Sequence, residues 1–270
     1  MLLVHRKYAA TTQTPASAAS VAAPPSLRMR VAVISDIHAN LHALEAVLAA
    51  IEDEAPDAMW CLGDLVGYGP RPNRCCSAVA ARASVSLCGN HDLGVLGEID
   101  LEDFAPDAAQ AAEWTRTVLS DDARTYLEGL SPKARADGVE LFHGSPRDPV
   151  WDYVLSGEAA FDALELTSDP LVLVGHSHVP LAIVLAGDDL AGGLAPGGAE
   201  VDLAAGRWLL NPGSVGQPRD GDARAAWLLL DLPRGTASFR RVEYPIDRTQ
   251  AEILERGLPE ALAARLADGV

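Results

Sequence analysis

The apolar residues of the chain fall into short runs separated by polar turns. Residues 29–35 read as a buried strand, and 40–52 follow with Leu41, Leu44, Val47, Leu48 and Ile51 at helical spacing, which predicts a βα unit. Residues 58–62 predict a second short strand, 72–81 a helix and 83–88 a third strand, the alternation that builds layered α/β folds. Over 106–130 the pattern turns helical: Pro106 and Asp107 suit a first turn, and Ser120 before Asp121 and Asp122 suits a second start. Strands resume at 138–142, 171–174, 181–185, 207–210, 225–230 and 237–244, while 187–198 reads as a glycine-rich hairpin loop. Ile253, Leu254, Leu258, Leu262 and Leu266 predict one closing amphipathic helix over 249–267. Residues 1–28 are rich in Ala, Ser, Thr and Pro without periodicity and predict a disordered extension. One domain then spans 29–270, with 106–130 as a helical insertion.

Polar, metal-capable residues stand directly after buried strands five times. They are Asp36 and His38; Asp64 in Gly63-Asp64; Asn90 and His91 in Gly89-Asn90-His91-Asp92; His143 in His143-Gly144; and His176 and His178 in Gly175-His176-Ser177-His178. The carboxyl ends of strands in an open α/β sheet line the crevice where ligands bind, so five such loops can meet at one point. Each piece alone has a plainer reading: Asp-x-His as a helix cap with a surface histidine, Asn-His-Asp as a turn, His-x-His as two exposed rings. Together they use five of the seven histidines, and that joint pattern predicts a metal site. Oxygen and imidazole donors without thiolate suit manganese, the first expectation, and also iron, zinc, cobalt or nickel. One aspartate must bridge if two divalent cations are to sit about 3.5–4 Å apart and clamp both oxygens of an in-line displacement, and Asp64 is the candidate.

Charge narrows the chemistry. Against 21 Lys and Arg stand 38 Asp and Glu, a net −17 that repels the backbone of long nucleic acids. A small phosphate-ester substrate remains compatible, because two bound cations reverse the potential within one pocket. No apolar run reaches about 18 residues, so no membrane span is expected. Cys61, Cys75, Cys76 and Cys88 follow no Cys-x-x-Cys spacing and read as reduced thiols of a cytoplasmic protein.

The ordered set Asp-x-His, Gly-Asp, Gly-Asn-His, His and Gly-His-x-His resembles the calcineurin-like metallophosphoesterase superfamily over about residues 29–244. Val66-Gly67-Tyr68-Gly69-Pro70, His143-Gly144-Ser145-Pro146-Arg147-Asp148 and Asn211-Pro212-Gly213-Ser214 are similar to its small bacterial phosphodiesterase branch. The resemblance implies a four-layer α/β/β/α sandwich of two mixed sheets with a small helical cap insertion. It implies one metal on Asp36, His38 and His178 and another on Asn90, His143 and His176, with Asp64 shared. His91 is then left to meet the substrate, as a proton donor or a stabiliser of the transition state. The implied reaction is hydrolysis of a small or nucleotide-like phosphodiester by a metal-bridging hydroxide. A phosphomonoester or phosphoprotein phosphatase, or an inactive protein-binding scaffold, stands as the alternative. Ala39 replaces the glycine common after Asp-x-His, and Gly67 stands where purple acid phosphatases carry a ligand tyrosine. Arg147 is a candidate phosphate contact, its plainer reading being a turn arginine paired with Asp148.

Overall fold

The computed structural model describes residues 29–270 together with the backbone of Val4–Lys7. The strand β1 (Val4–Lys7) comes first, followed by β2 (Arg30–Ile34), α1 (Leu41–Glu54), β3 (Ala58–Cys61), α2 (Pro72–Ala80), β4 (Val85–Ser86) and α3 (Asn90–Leu96). Then come α4 (Pro106–Val118), α5 (Asp121–Glu128), β5 (Lys133–Ala136), β6 (Val139–Phe142), α6 (Gly157–Glu165) and β7 (Leu171–Leu173). The chain ends with β8 (Leu181–Ala186), β9 (Asp189–Leu194), β10 (Glu200–Asp202), β11 (Arg207–Asn211), β12 (Ala225–Asp231), β13 (Thr236–Val242), α7 (Ile246–Glu255) and α8 (Glu260–Ala264).

The strands form two mixed sheets, one of seven strands ordered β1-β9-β8-β11-β7-β6-β5 and one of six ordered β10-β13-β12-β2-β3-β4. Strand periodicity of two explains the layers. In β2, Val31 and Val33 point to an interior shared with Trp60, Leu141, Leu173 and Leu210, where the two sheets face each other. Ala32 and Ile34 point the other way, onto Leu44, Val47 and Ile51 of α1 and Cys75 and Val79 of α2. The outer face of the seven-stranded sheet packs Val172, Ile183 and Leu209 against Ala160, Ala163 and Leu164 of α6. The result is the four-layer α/β/β/α sandwich. Among the described residues no helix is long and apolar enough to cross a membrane, and all four cysteines are buried and unpaired.

Several elements differ from the sequence expectation. The stretch read as a glycine-rich loop carries β9, which pairs with β8 from Ala186↔Asp189 to Leu181↔Leu194. Only Gly187 and Asp188 remain as the turn, a two-residue connection opened by glycine at φ 60°. The closing helix is broken into α7 and α8 because Gly257 takes φ 69° and Pro259 cannot continue the ladder. Polar β5, short β10, α3 and α6 were not anticipated. Of the extension expected to be disordered, β1 is a strand antiparallel to β9, and the rest of 1–28 lies outside the described residues. In the segment read as an insertion, α4 places Ala111 on the α7–α8 cluster, while α5 places Ala123 and Leu127 on the core shared with α1 and α2.

Candidate metal centre

The loops that leave β2, β3 and β4 of one sheet meet those that leave β6 and β7 of the other. Asp36, His38, Asp64, Asn90, His143, His176 and His178 are all buried at this junction. Backbone bonds fix the loops: Asp36 N–H donates to the Gly63 carbonyl at 3.0 Å, and Ile37 and His38 N–H both donate to the Asp64 carbonyl at 2.9 Å. Asp36 Oδ2 accepts from His176 N–H at 3.2 Å, and Asp64 Oδ1 from His91 N–H at 3.0 Å. The other oxygen of each, Asp36 Oδ1 and Asp64 Oδ2, is buried with no hydrogen-bond partner, as is Asn90 Oδ1.

The imidazoles explain those orphaned oxygens. His38 Nδ1 faces the Val66 carbonyl at 3.2 Å, His143 Nδ1 the Leu62 carbonyl at 2.9 Å and His178 Nδ1 the Gln217 carbonyl at 2.6 Å. A carbonyl accepts only, so each Nδ1 carries the proton and each Nε2 presents a lone pair. Yet His38 Nε2 lies 3.0 Å from His178 Nε2, two acceptors in mutual repulsion unless a cation stands beside them. Asp36 Oδ1 is 3.4 Å from His178 Nε2. Asp64 Oδ2 is 3.6 Å from His38 Nε2 and 3.5 Å from His143 Nε2, and His143 Nε2 is 3.2 Å from His176 Nδ1. Two ligand-capable groups result, Asp36–His38–Asp64–His178 and Asp64–His143–His176, and Asp64 belongs to both. These atoms fit divalent cations.

Protonation follows the same logic. Burial is the main cause that pushes the Asp36 carboxyl up to about 7, and burial followed by the charge of Asp92 raises that of Asp64. Burial likewise lowers His38 and His178 well below the usual histidine range and His176 to about 2. The rings are thus held neutral, the form that ligates, and the carboxylates are costly until a cation arrives.

Five of these seven residues, Asp36, His38, Asp64, His176 and His178, have φ between 49° and 62°. Left-handed backbone at non-glycine residues is strain of the kind that surrounding structure must impose. Space is tight as well: a Cβ on Gly89 would lie 2.1 Å from Asp64 Oδ1, and one on Gly67 2.5 Å from His91 Nδ1. His91 is itself buried, its ring 4.3 Å from that of Tyr68 and 5.1 Å from that of Phe104, and burial lowers it to about 3. Arg147, the expected phosphate contact, instead forks onto Asp152 with bonds of 2.9–3.1 Å and is 58% exposed. Asp148 is not the partner of its fork.

Sequence reasoning leaves Asp92 between orienting His91 and capping the next segment, gives Tyr68 no role, and misses Tyr153 and Arg219; the structure shows Asp92 capping. Asp92 accepts from Leu65 N–H at 2.9 Å, Val66 N–H at 3.0 Å and Gly89 N–H at 3.0 Å, tying the Asp64 loop to the Asn90 loop. Tyr153 stacks on His176 at 4.0 Å, and Tyr68 sits 4.6 Å from the His38 ring. Arg219 donates from Nη2 to Gln217 Oε1 at 2.8 Å and to the Tyr68 hydroxyl at 3.4 Å. The signals were an acid directly after Asn-His, aromatics in the loops that carry ligands, and an arginine five residues beyond Asn-Pro-Gly-Ser.

A family model described as the calcineurin-like phosphoesterase superfamily domain matches residues 29–234, and the chain belongs to that superfamily. A metallophosphoesterase from Sphaerobacter thermophilus, known from its crystal structure, is 42% identical with a TM-score of 0.81, over 90% of this chain and 99% of that one. An uncharacterized protein of Methanocaldococcus jannaschii is 37% identical over 89% of this chain and 98% of its own length. A symmetrical bis(5'-nucleosyl)-tetraphosphatase of Photorhabdus laumondii is 33% identical over 37% of this chain and 44% of its own.

Proposed function

We propose that the chain is a dinuclear metal-dependent phosphohydrolase whose substrate is a small, nucleotide-like phosphodiester. Asp36, His38 and His178 would hold one divalent cation, and Asn90, His143 and His176 the other, with Asp64 between them. The observation that carries the reading is Asp64 Oδ2, a buried carboxylate oxygen with no partner that lies within 3.6 Å of histidines from both groups. Manganese is the first ion to supply, and oxygen and imidazole donors with no thiolate suit iron, zinc, cobalt and nickel as well. Bound there, the pair would supply Lewis acidity toward a phosphoryl oxygen and acidify a water.

The chain's own residues do the rest. The Val66, Leu62 and Gln217 carbonyls orient three imidazoles with Nε2 inward. His91, neutral at its depth, offers an N–H to a substrate oxygen, and its Nδ1 is buried without a protein partner. Phe104 and Trp151, in contact at 5.2 Å, extend an apolar wall from His91, suited to the non-phosphate part of a substrate. The named activity of the Photorhabdus relative supports a small nucleotide substrate. The test is to strip the protein with a strong chelator, confirm the loss by elemental analysis, and assay phosphomonoesters, diesters and nucleotides before and after Mn²⁺ is returned. Hydrolysis should vanish and return with the metal; full activity in verified metal-free protein would sink the mechanism.

A further inference from the structure

The guanidinium of Arg219 has no carboxylate partner among the described residues, in a chain where acids outnumber bases by 38 to 21. The side chains of Arg71, Arg135, Arg147, Arg224 and Arg241 each meet a carboxylate. Partly buried Arg116 and Arg207 donate to backbone carbonyls, although Arg207, like Arg219, keeps a buried Nε with no partner. Arg219 has the Gln217 amide oxygen, a long 3.4 Å bond to the Tyr68 hydroxyl, an interaction with the Tyr153 hydroxyl, and a buried Nε with no partner. Its Cζ stands 5.9 Å from the Tyr68 ring centroid, and that ring packs against both His38 and His91.

Geometry places Arg219 at the edge of the ligand groups: its backbone N–H donates to the His178 carbonyl at 3.3 Å, and the Tyr68 ring beneath its guanidinium packs on His38 and His91. A second cation, Arg265, repels it and lines a cavity of about 470 Å³ with Tyr68, Asp107 and Leu262. Two divalent cations bound next to Arg219 would add to the repulsion. With two divalent cations in place, a half-buried guanidinium there gains from an anion that joins it. The planar fork of arginine matches the oxygens of a phosphate.

We propose that Arg219 binds the substrate phosphate: Gln217 and Tyr68 hold its guanidinium so that it contacts a non-bridging oxygen of the group being hydrolysed, the place expected of Arg147. This rests on the phosphohydrolase reading. A purely structural role, clamping Tyr68 and the 217–219 loop, would leave phosphate affinity untouched.

Inorganic phosphate is the probe, titrated calorimetrically into Mn²⁺-loaded wild type, Arg219→Gln, Arg219→Lys and Arg147→Gln, with metal content and hydrolysis measured alongside. Arg219→Gln should keep two metals and bind phosphate about 10–100-fold more weakly, the usual worth of charge-assisted hydrogen bonds. Arg219→Lys, which keeps the charge but loses the fork, should fall between. It also supplies the answer if the Gln variant does not fold: wild-type affinity in Arg219→Lys then overturns the proposal. Unchanged affinity in a metal-loaded Arg219→Gln overturns it too, as does an equal loss in Arg147→Gln. A wild type that binds phosphate through Arg219 yet hydrolyses no ester would overturn the phosphohydrolase reading and leave Arg219 as a phosphate-binding residue only.

Discussion

Replacing Asp92 with alanine tests whether the two metal-bearing loops are held together by one buried carboxylate. Three backbone N–H groups, from Leu65, Val66 and Gly89, lose their acceptor in a site sealed from water. Each buried orphan costs about 1–3 kcal/mol, so the gross loss is about 3–9 kcal/mol. Against this, the substitution removes a charge whose own carboxyl is pushed up by burial and which in turn raises Asp64. Relief of that like-charge pair offsets part of the loss and leaves a net cost of about 2–5 kcal/mol. Asp92→Asn keeps an oxygen for Leu65 and Val66 but turns an amide toward Gly89 N–H, one lost bond, for about 1–2 kcal/mol. Urea unfolding of the metal-free proteins reads both values, provided the slope stays constant. Hydrolysis with saturating Mn²⁺ should fall in the same order. Stability of Asp92→Ala within 1 kcal/mol of wild type would show that water or a shifted loop satisfies those donors, and the account of how the site is organised would be wrong.

Three further outcomes follow from the same geometry. His91→Ala should retain both metals while turnover falls by about 10²–10⁴; similar losses on alkyl and nitrophenyl esters mark the neutral ring as a hydrogen-bond donor to phosphoryl oxygens, a larger loss on the alkyl ester marks proton transfer to the leaving group, and loss of a metal would mean that it is a ligand. Gly89→Ala places a Cβ 2.1 Å from Asp64 Oδ1 and 2.5 Å from His143 Cε1, so metal content should drop although φ at Gly89 is −111°; a fully loaded variant would refute the steric reading. Asp64→Ala removes the residue common to both groups, and metal analysis should find fewer than two ions per chain; two undisturbed ions would refute the bridging role.

The parts of this molecule legible in the sequence are those written in apolar runs. Val31, Val33, Trp60, Leu141 and Leu173 announce core strands, and the polar residue that follows each run marks a loop at the carboxyl end. The coarse site could therefore be read without coordinates. What stayed hidden depends on tertiary context. Lys133–Ala136 alternates exposed and half-buried small and basic residues, a strand only because β6 lies beside it. Gly192 sits in β9 because its missing side chain lets the Ala182 carbonyl approach to 2.0 Å of where a Cβ would be, so glycines that suggested a loop serve close strand pairing. Left-handed backbone at Asp36 and His38 leaves no mark in composition. Arg147 and Arg219 look alike in sequence, and only Asp152 in space separates a satisfied fork from an unsatisfied one.

The placement of β2 has a consequence for how the protein is made. Its neighbours are β3, which follows directly, and β12, which arrives near the end of the chain. The Asp36 carbonyl, at the end of β2, accepts from the Ser214 hydroxyl at 2.7 Å across a separation of 178 residues. At about 5–20 residues per second, a ribosome needs about 10–35 s to deliver that partner after Asp36 has been made. Throughout that interval the apolar strand has one open edge, and the loop that opens the metal site lacks the segment that closes over it. His143, His176 and His178 emerge during the same wait, and the seven-stranded sheet closes only with β11. Metal capture is therefore one of the last events of biogenesis, and a nascent chain stalled before residue 225 offers β2 as an unpaired edge to any chaperone, or any other strand, within reach.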